Sequence, residues 1–282
     1  MDEMAPSSRE LERLAAGIRK RLLTMIYSGS GGHTGGSLSS SDILVALYFH
    51  VMNIRPDDPA WPDRDRFVLS KGHSVEGYYA VLSKRGFFDD SVLDSYGTFN
   101  SPLAGHPVNK VPGIEVNSGA LGHGLSVGTG MALAGKRDNK SYRVYVLMGD
   151  GEHGEGSLME AAAAAGHYKL DNLTGIIDRN KLQISGYTEE ILRIDDLRMK
   201  YEACGWAVRE CDGHSMEELT AILQQVPFEK GKPSYIIAHT TKGKGVSFIE
   251  NEAAWHHKVP SEEQYKLAMA ELNRKLEELN HD

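Results

Sequence analysis

The chain has 282 residues, 40% of them hydrophobic, and a formal net charge of -8. That is enough apolar sequence for one large α/β domain with a sizeable core. An acidic chain is a poor partner for nucleic acid or an anionic membrane, both of which select basic surfaces, while acidic substrates stay open wherever a local cation overrides the global charge. The first ten residues, MDEMAPSSRE, are acidic and polar and do not read as a signal or transit peptide. No apolar run approaches the roughly 20 residues that span a bilayer. Two cysteines, Cys204 and Cys211, make neither a disulfide framework nor a zinc ribbon. They read as small buried hydrophobes in a reducing cytoplasm.

The predicted elements follow in chain order. Ser8 to Tyr27 forms an amphipathic helix with Leu11, Leu14, Ile18, Leu22, Met25 and Ile26 on one face. It ends in a glycine–serine run that leads into His33-Thr34-Gly35-Gly36. A second helix starts near Ser41-Asp42. Arg66 to Ser70 is a short strand ending at Lys71-Gly72-His73, with helices over Val75 to Arg85 and Asp89 to Tyr96. A loop carries Gly105-His106-Pro107, and Gly119 to Gly124 opens a small-residue helix running to about Arg137. Strand Tyr142 to Met148 ends at Gly149-Asp150-Gly151, and a helix from about Ser157 to Tyr168 precedes strand Leu173 to Ile177. Helix Asp195 to Cys204, strand Trp206 to Cys211, helix Ser215 to Gln225 and strand Ser234 to His239 continue the alternation. A last helix opens on Ser261-Glu262-Glu263-Gln264, a capping-box pattern.

This alternation predicts an α/β fold: a doubly wound, mostly parallel sheet with helices on both faces. Nothing marks a linker or a repeat, so residues 1–282 read as a single domain. Ligands of such sheets bind outside the carboxyl ends of the strands. The glycine- and histidine-rich loops after Ser70, Met148 and Ile177 fall there.

Gly149 to Gly154 matches GxGxxG between a strand and a helix, the pattern of a dinucleotide loop. Asp150 argues against that reading, since its carboxylate repels a pyrophosphate unless a cation lies between them. The acidic residue expected about 20 positions further on is also missing. Asp150 fits better as a hard ligand to Mg2+ or Ca2+, with the Asn180 amide oxygen and a carbonyl near Leu182 alongside it and diphosphate oxygens completing the shell. Gly149 and Gly151 let phosphates approach the backbone. The motif by itself does not separate such a site from an ordinary strand-ending turn.

Of twelve histidines, His33, His73, His106, His123 and His256 stand in glycine- or proline-flanked loops or the His256-His257 pair. On separate loops feeding one sheet edge, imidazoles can bond hydroxyls and shuttle protons. His50, His167, His214, His239 and His281 read as ordinary. No HxxxH or CxxC spacing favours zinc, so a polyhydroxylated, phosphorylated substrate suits the set better.

Gly149-Asp150-Gly151 with Asn180 thirty residues after Asp150 resembles the thiamine-diphosphate fingerprint. Nearly the whole chain resembles transketolase, through Gly32 to Ser39, Asp65 to His73, Gly105-His106-Pro107, Gly119 to Gly124 and Lys242 to Ser247. The resemblance implies that Asp150, Asn180 and the Leu182 carbonyl hold Mg2+ (Ca2+ is possible) on thiamine diphosphate, with Gly151 close by. It implies that His73 and His256 contact the cofactor and reacting centre, that His33 and His106 bond the donor sugar's hydroxyls, and that Gly119 and Leu121 contact the aminopyrimidine. Glu155 and Glu160 match acids near the family's subunit interface; read plainly, they are acids early in a helix, which its dipole favours.

Full transketolases are more than twice this length. The resemblance therefore implies the N-terminal subunit of a split, cytoplasmic enzyme, with the pyrimidine-binding and C-terminal modules on a partner chain. That pair would form a heterotetramer moving a two-carbon ketol unit between sugar phosphates through the cofactor's enamine. A specialised transketolase acting on an unusual sugar, a 1-deoxyxylulose-phosphate synthase and a non-catalytic relative are the alternatives. Three positions depart from the pattern: His123 stands where glutamine is common, Arg179 replaces the fingerprint's first asparagine at a tolerant position, and His257 follows His256 where glycine is common. His123 and His257 are expected to add titratable groups near the substrate path.

Overall fold

The computed structural model describes residues 5–281. Five strands form one parallel sheet: β1 (Arg66–Leu69), β2 (Val144–Gly149), β3 (Leu173–Arg179), β6 (Ala207–Asp212) and β7 (Ser234–His239). Their spatial order is β1-β2-β3-β7-β6. Every neighbouring pair is parallel, with Leu69 opposite Leu147, Gly149 opposite Asp178 and Asp178 opposite Ala238. A small antiparallel hairpin, β4 (Leu182–Gln183) and β5 (Gly186–Tyr187), follows β3 and was not expected from the sequence.

Strand side chains alternate between two cores, as the period of two in a strand requires. Phe67, Leu69, Tyr145, Leu147, Ile176 and Ile236 face one core. That core is closed by helices α1 (Ser8–Gly29), α2 (Thr34–Ser39), α3 (Ser41–Ala46) and α4 (Val75–Arg85), and from the far end of the chain by α9 (Met216–Gln224) and α10 (Glu262–His281). Val68, Val144, Val146, Met148, Ile177 and Ile237 face the other, under α5 (Gly124–Arg137) and α6 (Gly156–His167). Helix α7 (Thr188–Ile191) is a single turn, and α8 (Leu197–Ala203) joins the second core. The doubly wound parallel sheet is therefore as expected.

Caps set the helix starts. The Ser7 hydroxyl accepts from Glu10 N–H while Glu10 accepts from Ser7 N–H, a reciprocal box. Ser261 and Gln264 exchange the same two bonds ahead of α10.

Several boundaries differ from expectation for local reasons. The chain is helical from Thr34, not Ser41. Gly35 and Gly36 are poor helix formers, yet a Cβ at Gly35 would sit 3.0 Å from the Trp255 carbonyl and one at Gly36 2.6 Å from Ser74 Oγ. Tight packing thus selects glycine inside this helix. Residues 119–123 stay irregular, and α5 begins only at Gly124, whose Cα lies so close to Ser70 that a Cβ would clash. Residues 90–95 form a 3-10 turn capped by the Asp89 side chain. A second 3-10 turn, Gly151–Gly154, separates Asp150 from α6.

Candidate active site

The carboxyl ends of β1, β2, β3 and β7 deliver Lys71, Asp150, Asn180 and Thr240 to one edge of the sheet. Asp178 ties these ends together. Its fully buried carboxylate pairs with the Lys71 ammonium and accepts from the hydroxyls of Ser39 and Thr240. Burial works to raise the Asp178 pKa, but Lys71 and the hydroxyl bonds overcome it and hold the group below its ordinary range. Lys71 also donates to the Gly36 carbonyl at 3.1 Å. Glu152 does the same for the facing loops, accepting from the Gly149 N–H and the Gly122 N–H at 2.9 Å each and from Ser70 Oγ.

Above this frame lies a cavity of about 300 Å³. His73, Gly119, Leu121, Asp150, Gly151, Asn180, Leu182 and His256 all line it, together with Lys71, Lys242, Glu152 and Ile184. The two lysines, Glu152 and Ile184 were not singled out from the sequence. Lys71 and Lys242 did carry a signal, each standing beside a glycine in a loop after a strand. Burial, and then the Lys71 charge, lower the Lys242 ammonium to about 8. Lys242 bonds His256 Nδ1 at 2.8 Å, and His214 fixes its loop. The His214 imidazole accepts from Thr241 N–H at 2.8 Å and donates to Asp42 at 2.6 Å. His214, ordinary by sequence, is a brace for this wall.

Asp150 is buried, and burial lifts its pKa to about 6 against the pull of Arg179. Arg179 Nη1 donates to Asp150 Oδ1 at 2.9 Å, and the Lys181 N–H donates to Oδ2. The same guanidinium bonds Thr188, Glu189 and Asp195. Position 179 is therefore not a free choice in this chain: it anchors the metal-ligand candidate to the following loop. Asn180 Oδ1 accepts from Leu182 N–H at 3.1 Å.

Among the described residues no group of three or more His, Cys, Asp or Glu side chains could hold a metal. A cation here has one carboxylate, one amide oxygen and backbone carbonyls, hard donors that suit Mg2+ or Ca2+ but leave positions for a ligand's own oxygens. Two buried ammonium groups beside such a cation suit an anionic diphosphate. Gly151 keeps the turn open: a Cβ there would meet the Gln183 Cβ at 2.7 Å. The donor set thus fits a metal–diphosphate pair.

His33, His73, His106 and His256 come together, with His257 beside them. His33 has ring centroids of His73, His106, His256 and His257 at 5.3, 5.9, 5.7 and 4.5 Å. His73 and His256 stack at 5.0 Å. Burial, then neighbouring positive groups, push His33 down to about 4, His256 to about 3 and His73 well below its ordinary value. All three are neutral near pH 7, able to donate from one nitrogen and accept at the other. His33 and His106 line a second cavity of about 400 Å³ beside the first, and His257 joins them. His123 does not. It is exposed at the start of α5, bonded to the Leu121 carbonyl at 3.1 Å, and lines neither cavity. Glu155 and Glu160 are exposed on the segment that opens α6.

One carboxyl edge of the parallel sheet thus gathers a carboxylate, an amide oxygen, two buried ammonium groups and a set of imidazoles. Residues 11–275 match the family model described as transketolase, thiamine diphosphate binding domain. The chain belongs to that transketolase family. It is 52% identical over 264 residues to a protein of Phocaeicola vulgatus named as one of the subunits of an apulose-4-phosphate transketolase, covering 94% of each chain. It is 42% identical over 272 residues to a 6-deoxy-6-sulfo-D-fructose transketolase subunit of a Clostridium species, covering 96% of this chain and 99% of that one. The solved transketolase of Campylobacter jejuni superposes with a TM-score of 0.86 at 31% identity, over 95% of this chain and 46% of that one. The chain thus spans about half the length of that enzyme. No helix among the described residues is long and apolar enough to cross a membrane.

Proposed function

We propose that this chain, over its whole length, is the pyrophosphate-binding subunit of a split transketolase and transfers ketol groups only with a C-terminal partner subunit. The observation that carries the reading is the one cavity that brings together the Asp150 carboxylate, the Asn180 amide and the ammonium groups of Lys71 and Lys242. Relatives of nearly equal length named as transketolase subunits support the split arrangement. A heterotetramer with two copies of each chain, working in the cytoplasm, is the assembly we expect.

In this reading Asp150, Asn180 and the Leu182 carbonyl hold Mg2+, or Ca2+ in its place, against the diphosphate of thiamine diphosphate. Gly151 and the two lysines border the same phosphates. Gly119 and Leu121 border the aminopyrimidine. The bound cofactor supplies the nucleophilic carbon that takes up a two-carbon ketol unit from a ketose and hands it to an aldose. The protein's own work is positional and protolytic. Neutral His73 and His256 exchange protons at the reacting centre, and His33 and His106 bond hydroxyls of the donor sugar. The names of the relatives support an unusual donor, such as a branched sugar phosphate or a sulfonated sugar.

Calorimetry with thiamine diphosphate and Mg2+, followed by a ketol-transfer assay with and without the C-terminal partner, tests the reading. Expected are metal-dependent cofactor binding, abolished by Asp150→Ala, and transfer only from the pair. Enzyme-like transfer by the isolated chain would overturn the split arrangement. No cofactor binding in either state would favour a non-catalytic relative.

A further inference from the structure

The cavity beside the cofactor pocket has an unusual wall. Five of its lining residues are glycines, namely Gly29, Gly31, Gly32, Gly97 and Gly105, which present backbone alone. No lysine or arginine among the described residues lines it, so it is not built for a phosphate or sulfonate. Its polar side chains are few: the imidazoles of His33, His106 and His257, and the hydroxyls of Tyr96 and Thr98. The first two imidazoles are already assigned by the proposed reading. His257 is not.

Nothing in the fold requires an imidazole at 257. Its side chain is exposed, and it makes no hydrogen bond among the described residues. Yet its ring lies nearer His33 than any other of that residue's imidazole neighbours, 4.5 Å between centroids and inclined by 59°. At that spacing the two rings are in van der Waals contact, and both border the same cavity. The Tyr96 hydroxyl is committed to Glu76 at 2.8 Å, which leaves His257 as an uncommitted hydrogen-bonding group on this wall. His33 is neutral near pH 7, with burial and then His257 among the causes, so the pair can offer a donor and an acceptor to one hydroxyl.

We infer that His257 is a specificity-determining residue, bonding a hydroxyl of the donor sugar beyond the ketol unit that His33 also faces. This role rests on the proposed transketolase reading. The interaction serves binding of the sugar chain, not bond cleavage, so its loss acts mainly on KM.

The test uses the chain together with its C-terminal partner, thiamine diphosphate and Mg2+. Wild type, His257→Gly and His257→Asn are compared with two kinds of donor. One is whichever of apulose 4-phosphate and D-xylulose 5-phosphate the wild-type pair uses faster. The other is hydroxypyruvate, a ketol donor with no hydroxyl beyond the transferred unit. Expected is a fall of about tenfold in kcat/KM for the sugar phosphate in His257→Gly, carried by KM, the size of one net hydrogen bond. Hydroxypyruvate stays within about twofold, and His257→Asn recovers part of the loss. An equal fall for both donors, or no fall for either, overturns the role of His257 while leaving the transketolase reading intact. Failure of the wild-type pair to use any of the three donors, or 6-deoxy-6-sulfo-D-fructose, overturns that reading itself.

Discussion

Arg179 Nη1 donates to Asp150 Oδ1 at 2.9 Å, with the two side chains 4% and 0% exposed. The proposed metal ligand is thus already paired with a cation that belongs to the protein. Arg179 also reaches Asp195 at 2.8 Å and Glu189 at 3.3 Å, so one guanidinium compensates three carboxylates. Removing it leaves a buried, uncompensated charge, which costs about 3–5 kcal/mol in comparable pairs. Arg179→Leu is expected to lower the stability of the cofactor-free protein by that order in urea melts. A bound divalent cation gives Asp150 a replacement counter-charge. Saturating Mg2+ with thiamine diphosphate should therefore stabilise Arg179→Leu by more than it stabilises wild type. Equal stabilisation of the two proteins would show that Arg179 does not act through Asp150.

Asp150 also predicts a proton linkage. Burial raises it to about 6 in the folded protein, above the ordinary carboxylate value of the unfolded chain. The sign is the reverse of a typical salt-bridged aspartate. Its contribution to stability is fully present below about pH 4 and is lost as pH rises through about 6. Metal binding requires the ionised form. Loading with Mg2+ and cofactor at pH 6 should release about half a proton from this group, and almost none at pH 8. Calorimetry in buffers of different ionisation enthalpy measures the number directly. Asp150→Asn in the cofactor-free state should flatten the stability profile between pH 4 and 6.

Lys71 and Asp178 are 2% and 0% exposed and bonded to each other at the floor of the cavity. Either single change, Lys71→Met or Asp178→Leu, strands a buried charge and should cost about 3–5 kcal/mol. The double variant removes both charges and should recover a large part of that loss, so the two effects are not additive. It should not recover cofactor affinity, because Lys71 also lines the cavity. Additive destabilisation in the double-mutant cycle would mean that the pair is not the coupled unit its geometry indicates.

How much of this was legible before the fold can be judged from single residues. Val144 to Met148 is a continuous apolar run because a parallel strand is buried on both faces, so the sheet could be read directly. The glycine–histidine loops were legible as well, since the carboxyl edge of such a sheet gathers its loops by construction. Gly35 and Gly36 misled, because local propensity opposes a helix there and only the backbone of Trp255 and the hydroxyl of Ser74 explain it. Arg179 read as a tolerant substitution, for the carboxylates around it come from residues 150, 189 and 195 and meet only in three dimensions. His123 erred in the opposite direction: it sits inside a motif, yet at the N-terminus of α5 its ring is exposed, outside both cavities. Spacing told which loops converge, not which side chains face inward.

Glu76 gives a prediction that separates hydrogen bonding from charge. Its buried carboxylate accepts from the His33 N–H at 3.0 Å and the Tyr96 hydroxyl at 2.8 Å on one oxygen, and from Ser37 Oγ at 2.7 Å on the other. It thereby sets the backbone of His33 and one wall of the second cavity, which His33 and Tyr96 line. Burial raises its pKa, and the hydrogen bonds from Ser37, Tyr96 and the His33 backbone oppose that rise by favouring the charged form. Glutamine keeps the shape. Its carbonyl can face His33 and Tyr96, and its amide can donate to Ser37, whose hydroxyl rotates to accept. Glu76→Gln should cost no more than about 1 kcal/mol and leave metal and cofactor binding unchanged. Glu76→Leu leaves three buried donors unmatched and should cost several times as much, at about 1–3 kcal/mol for each group left unsatisfied. Urea denaturation of the two variants, read beside cofactor calorimetry, checks both expectations. If Glu76→Gln proved as damaging as Glu76→Leu, the negative charge itself, rather than the three hydrogen bonds, would be what holds His33 in place.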